Sequence, residues 1–254
     1  MAAAVGALGL IAVVAGLLHH SSTPPQTSPG PAPKPGSAVP GLTTGRVMLG
    51  AGGTDSVAGV PVGFPPTPEG GVAAAVNDAA LAHANPHLLV DDQRHALDAA
   101  LYSPNYRGRR LDDVTAPALR TQMGLNDQAQ PRDPATGGID WTKQVRMSCL
   151  AQYGAYRVNA ATPTHADVDV FQPCVFGITP GSSADGAQVV WTLDKSTVDN
   201  ENGQWRWTQF DDQPGPQPAN PSTPVLSFGD RARLLGPGWV LPVNATDQPG
   251  WEKQ

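Results

Sequence analysis

Charge is scarce in this chain. Only 15% of its 254 residues are Asp, Glu, Lys or Arg, and 22 acidic side chains outnumber 16 basic ones. With a net charge of −6 and no basic block, the long-range field offers phosphate nothing to bind, so direct nucleic-acid contact is not expected. Cysteine is scarcer still, with two residues in neither a Cys-x-x-Cys nor a Cys/His cluster, so zinc-finger and thioredoxin-type sites have no sequence signature. The catalytic signatures are missing as well. There is no Gly-x-Ser-x-Gly, and the serines are confined to stalks and turns, which leaves a hydrolase nucleophile without a seat. Gly50-Ala-Gly-Gly-Thr lacks the lysine of a phosphate loop and any preceding strand. His83 and His87 are four apart, but Pro86 interrupts the helix that would put them on one face, and no metalloprotease glutamate accompanies them. His19-His20 reads as a polar pair at the edge of an apolar segment. No catalytic residue, metal or cofactor is therefore expected, and the chain reads as a non-enzyme.

What is plentiful is glycine and proline, 28 and 27 residues, concentrated in segments that cannot pack. Met1 to Leu18 contains neither charge nor proline, and as a helix it would be about 27 Å long, near the hydrocarbon thickness of a bilayer. It reads as a retained single-pass transmembrane anchor. A cleaved signal is the alternative, although Gly16-Leu-Leu-His-His offers no small-x-small cleavage site. Pro24 to Gly41 is too rich in proline to fold and makes a stalk that could hold a domain roughly 50 Å from the bilayer if extended. The expected organisation is an anchor at 1–18, a Pro/Gly-rich stalk at 19–58, a folded domain at 59–210, a proline-rich connector at 211–224 and a C-terminal extension at 225–254.

Within the folded part, Thr67 is a candidate N-cap with Pro68 at the first helical position. Val72, Val76, Ala79, Ala80 and His83 then recur at helical spacing until Asn85-Pro86. A second helix is expected over Asp91 to Tyr102 and a third over Asp112 to Met123, with a loop from Gly124 to Asp140. A sheet follows. Val145, Met147, Cys149, Ala151 and Tyr153 alternate with polar residues, and Ala166, Val168, Val170, Cys174, Phe176 and Ile178 share one parity of the next strand. A hairpin symmetric about Ala161 and Thr162 places Cys149 opposite Cys174, which predicts a disulfide and hence an oxidising, extracytoplasmic compartment. Two further runs, Gln188 to Val198 and Gln204 to Phe210, are joined through Asn202-Gly203, which suits a tight turn. That turn sets Trp207 against Val198 and Arg206 against Asp199 as an ion pair. The expected fold class is α+β, with helices packed on one face of a curved antiparallel sheet of about four strands.

The helix-then-meander order resembles the nuclear-transport-factor-two-like fold. The block Gly59-Val-Pro-Val-Gly-Phe-Pro, followed by a Thr/Glu helix start and Gly-Val-Ala-Ala-Ala up to Ala75, resembles a motif of actinobacterial membrane-anchored proteins associated with conjugative and mobile elements. Their sheet domains are similar to the bitopic scaffold subunit of type IV secretion systems. The resemblance implies an assembly or scaffold subunit of a conjugative transfer apparatus. Its expected partners are the membrane through the N-terminal helix, other envelope or secretion-system proteins, and further copies of the chain. It also implies an alternative, a small-molecule binding domain or enzyme using the cone between helices and sheet, for which Tyr153, Asp167, Asp169 and His165 are the candidate pocket groups. The candidate partner contacts are the basic patch Arg107, Arg109 and Arg110, together with Trp205 and Trp207, since arginine and tryptophan are enriched at binding hot spots.

Overall fold

The longest element is a strand of 15 residues, and everything else in the fold is placed by what pairs with it. The computed structural model describes residues 42–108, 111–180 and 186–248. In chain order these form β1 (Thr43–Thr44), β2 (Asp55–Val57), β3 (Val60–Val62), α1 (Pro68–Asn77), α2 (Asp91–Leu101), β4 (Tyr102–Gly108), α3 (Thr115–Gln122), β5 (Gln144–Cys149), β6 (Ala155–Ala161), β7 (His165–Thr179), β8 (Gln188–Glu201), β9 (Gln204–Pro214), α4 (Phe228–Leu235) and β10 (Val240–Leu241). Eight strands make one mixed sheet in the order β1-β10-β6-β7-β8-β9-β4, with β5 also paired to β7; β2 and β3 form a separate hairpin.

This corrects the expected four-stranded curved sheet of the nuclear-transport-factor-two type. The difference has three physical sources. First, the run Val145 to Tyr153 is not one strand: a single turn of 3₁₀ helix at Ala151–Tyr153 breaks it, so β5 and β6 pair in tandem along the same edge of β7. Second, Tyr102–Gly108 is a strand parallel to β9 at the end of the sheet, where Pro104 is tolerated because no outer partner requires its missing N–H. Third, Val240 and Leu241 add a short strand beside β6, and Thr43 and Thr44 pair parallel to it. Among the described residues no helix is long and apolar enough to cross a membrane. Met1 to Leu18, His19-His20 and the stalk Pro24 to Gly41 lie outside the described residues, as do Arg109 and Arg110.

The expected facing of the two cysteines is present, with Cys149 opposite Cys174. The route to it differs. The β6–β7 hairpin turns at Thr162–Thr164, pairing Tyr156 with Val170. That is three positions out of step with β5, and the turn at Ala151–Tyr153 takes up the difference. Gly154 closes this turn, and a Cβ there would lie 1.9 Å from the Phe171 carbonyl oxygen, so only glycine lets the chain pass so close to β7.

Both faces of the sheet are covered. On one, α1 lies against β7 and β8 and buries Val72, Ala75 and Val76, with Ala79 of the turn that follows, against Val168, Val170, Val198 and Trp207. The helix starts where its caps dictate: the Thr67 side chain accepts from the Gly70 N–H at 3.1 Å and Pro68 fills the first position. On the other face Phe171, Trp191, Trp239 and Leu241 form a second cluster under α4, whose N-cap Ser227 accepts from the Asp230 N–H at 3.1 Å. Arg231 of α4 is fully buried. It donates to the carbonyls of Leu226 (3.0 Å) and Gly154 (3.1 Å) and to that of Thr246, tying the C-terminal segment to the 3₁₀ turn.

Candidate functional site

α1 passes directly into a π-helical turn at Asp78–Ala82, a wider coil often found beside functional groups, and His83 ends it. The imidazole enters the seam between this turn and the sheet, where the inward parity of β7 and β8 presents Gln172, Cys174, Thr192 and Asp194 instead of the aliphatic side chains found further along. Its Nδ1 lies 3.3 Å from Asp194 Oδ2 and 3.8 Å from Cys149 Sγ, and its Nε2 lies 3.9 Å from Asp212 Oδ2. The fully buried Gln172 amide donates to the Ala79 carbonyl at 2.9 Å and also to Asp194 Oδ2. Asp194 Oδ1 and Gln172 Oε1 are buried with no hydrogen-bond partner. Burial depresses the proton affinity of His83, but the attraction of Asp194 and Asp212 outweighs it, so the imidazole pKa is raised above its ordinary value. Nearby Asp78 has its carboxyl pKa raised well above the usual range by burial.

The cysteines form a disulfide, Cys149 to Cys174, with Cα atoms 3.9 Å apart. Both sulfurs and His83 Nδ1 fall within 4.8 Å of one another, which makes these three side chains the group of described residues able to converge on a metal ion. Asp212 also lines an open groove of about 430 Å³ with Arg107, Gln209 and Phe210, so a polar path of Asp212, His83 and Asp194 runs from the surface to the disulfide.

The residues singled out in the sequence scatter by comparison. Asp169 is buried on the sheet's other face, accepting from Arg157 Nε at 3.1 Å, and the Arg157 guanidinium lies 5.1 Å above the Trp239 ring. Asp167 is half-buried on the same strand, and His165 lies 2.6 Å from Asp199. Tyr153 is buried in the 3₁₀ turn close to Arg231, whose pKa burial lowers to about 10. These groups do not converge on a cavity. Trp205 and Trp207 are core residues, only 6% and 1% exposed, with their indole N–H groups donating to Pro65 O (2.9 Å) and Ser196 Oγ (2.6 Å). They present no open face to a partner. Arg107 lies in β4 opposite Gln209, and Asp113 meets Arg94 and His95. Val198 faces Trp207 and Asp199 faces Arg206 as the turn chemistry predicts, yet no ion pair forms: Arg206 donates to the Ala99 and Tyr102 carbonyls.

Sequence reasoning missed Asp194, Gln172 and Asp212. A signal for the first two existed, because a carboxylate and an amide at the inward parity of strands otherwise bearing Val168, Val170 and Val198 must find partners in the core. Trp141, 78% exposed in the connection before β5, was missed as well. No family model matches the chain, and no curated protein or solved structure matches it either.

Proposed function

We propose that the chain is a non-catalytic component of a cell envelope, held to a membrane by Met1 to Leu18 with its folded domain extracytoplasmic, and that it serves as an assembly or scaffold subunit of a conjugative transfer apparatus. The observation that carries a binding role over a catalytic one is the packing of α1 and the turn after it on the sheet. Val72, Ala75, Val76 and Ala79 fill the space that a substrate chamber in this layer would need, and the described surface hollows are open grooves, the larger of about 760 Å³ beside the Asn202-Gly203 turn. The disulfide fits an oxidising compartment. The Gly59 to Ala75 motif supports the link to conjugation, and its residues have a structural reason: Val60 and Phe64 are buried, Thr67 caps α1, and Trp205 donates to the Pro65 carbonyl.

The test is genetic. Deleting the gene abolishes conjugative transfer and leaves growth unchanged, and external protease removes the domain from intact cells while Met1 to Leu18 stays in the membrane fraction. Trp141→Ala separates contact from folding: at an exposed site it leaves stability within about 0.5 kcal/mol of wild type yet lowers transfer. Normal transfer in the deletion strain refutes the scaffold role.

A further inference from the structure

The geometry around the disulfide points to a second state of the same site: with Cys149 and Cys174 reduced, the protein binds one divalent cation of the zinc class through both thiolates, His83 Nδ1 and Asp194. This inference stands on the site alone; the scaffold reading, which places the domain in an oxidising compartment, concerns the disulfide state.

The donor set is that of a closed structural zinc site, in which four N, S or O ligands sit tetrahedrally about 2.0–2.3 Å from the metal. Those bond lengths require a sulfur–nitrogen separation of about 3.6 Å and a nitrogen–oxygen separation of about 3.4 Å. The observed spacings are 3.8 Å between Cys149 Sγ and His83 Nδ1, and 3.3 Å between His83 Nδ1 and Asp194 Oδ2; the two sulfurs and Nδ1 already converge within 4.8 Å, whereas the Asp194 carboxylate stands outside that group and must turn towards the sulfurs to complete the set. The two sulfurs must part to about 3.8 Å, a change within reach of rotation about the Cα–Cβ bonds of two side chains that face one another across β5 and β7.

A second observation supports a missing ligand. Asp194 is fully buried, and its Oδ1 has no hydrogen-bond partner, an arrangement costly for a carboxylate in a protein interior. Around these four side chains stands a supporting layer of the kind metal ligands require. Asp212 Oδ2 lies 3.9 Å from His83 Nε2, beyond hydrogen-bond reach, and adds negative charge beside the ring, while the Gln172 amide donates to Asp194 Oδ2. Arg107 shares the groove with Asp212 and brings a positive charge to the mouth of the site.

The two states exclude one another. Reduction by a phosphine consumes one water, breaks the S–S bond, yields two thiols and leaves the phosphine as its oxide. A cellular dithiol instead gives two electrons and two protons and becomes a disulfide itself. Binding a divalent cation to the two thiols releases two protons. Oxidation of both thiolates by a disulfide of another protein withdraws two electrons, rejoins the sulfurs and expels the cation, because His83 and Asp194 alone are too few ligands. The cation state belongs to a reducing compartment and the disulfide state to an oxidising one.

The experiment uses the full-length chain, reduced with a phosphine under anaerobic conditions, freed of excess reductant and titrated with Co²⁺. One Co²⁺ per chain is expected, with tetrahedral ligand-field bands and a thiolate-to-metal charge-transfer band, both displaced by Zn²⁺. The oxidised chain gives neither band. His83→Gln and Asp194→Asn each weaken Co²⁺ binding by about tenfold or more. X-ray absorption of the wild-type complex reports two sulfur and two nitrogen or oxygen neighbours, a readout that does not depend on any variant folding. Absence of uptake by the reduced wild type, equal uptake by the oxidised chain, or a sulfur-free coordination shell overturns the inference.

Discussion

Gly71 of the first helix lies against the Trp205 ring, and replacing it with alanine tests whether the α1–Trp205 contact organises the fold. A Cβ on Gly71 would lie 2.6 Å from Trp205 Cη2 and 2.9 Å from both Cζ2 and Cζ3. Ordinary carbon–carbon contact is about 3.5–4.0 Å, so the ring must retreat by about 1 Å. It has little room to do so: the indole is 6% exposed, and its N–H is fixed to the Pro65 carbonyl at 2.9 Å. Overpacking of this kind costs about 1–3 kcal/mol, and weakening the indole hydrogen bond adds about 1 kcal/mol. Alanine returns about 1 kcal/mol of helix propensity, since the position is interior to α1. The expected net loss is about 2 kcal/mol, or about 4–8 °C in Tm for a domain of this size. Urea denaturation of the oxidised protein measures it. The decisive arm is a double-mutant cycle with Trp205→Phe, which removes the three ring atoms that clash. On that background Gly71→Ala is expected to be close to neutral, giving a coupling of about 2 kcal/mol. A stabilising Gly71→Ala, or the same loss on both backgrounds, refutes the steric argument.

Cys149 and Cys174 close a loop with a sequence separation of 25 residues, so reduction or the double serine variant lowers stability by about 3–4 kcal/mol if loop-closure entropy dominates; denaturant midpoints with and without reductant measure it. Both thiols reacting with an alkylating reagent in unreduced, denatured protein would contradict the disulfide. The hydrogen bonds and charges of Arg120 and Arg94 hold Asp91 at about 2, below its ordinary value. A depressed carboxylate stabilises the fold fully above its unfolded pKa of about 4, and this contribution is lost as pH falls through about 2. The acid unfolding curve of Asp91→Asn is correspondingly flatter between those limits. Arg231→Ala strips the carbonyls of Leu226, Gly154 and Thr246 of their donor, and a loss of about 3 kcal/mol is expected. Limited proteolysis should then cut first in the connector between β9 and α4; unchanged resistance there would mean that the second core does not depend on Arg231.

Local chemistry was legible wherever neighbouring residues decide the structure. Thr67-Pro68 starts α1 where capping rules put it, and Asn202 and Gly203 take φ values of 55° and 86°, the double positive turn that pairs Val198 with Trp207. The cysteine register shows the limit of such reasoning. A single hairpin about Ala161 and Thr162 pairs Cys149 with Cys174, and the real chain reaches the same pair through a later turn and a compensating 3₁₀ turn. Alternation cannot reveal that turn, because Ala151 and Tyr153 bury their side chains in it as they would in a strand.

The candidate site was half legible, and the missing half is a matter of sequence separation. The sequence pairs Cys149 with Cys174 and puts His83 at the end of an apolar helical stripe, facing the sheet, but sets His83 aside as a ligand because Pro86 separates it from His87. Its partner Asp194 is 111 residues away, and which of the inward positions on β8 lies opposite depends on how far α1 runs before the π turn widens it. The same dependence hid the second core. Phe171, Asp169 and Arg157 share the face that strand parity marks as polar, and they become interior only because Trp239 and Arg231, from a segment with little periodic signal, close over them. A sheet this wide needs that cover, since Phe171 and Trp191 stacked 5.0 Å apart would otherwise leave two large rings in water. The aromatic residues on that face therefore carried the information that the C-terminal segment is structural, and the short apolar run Trp239 to Val243, which supplies β10, is the one part of the segment that announced it.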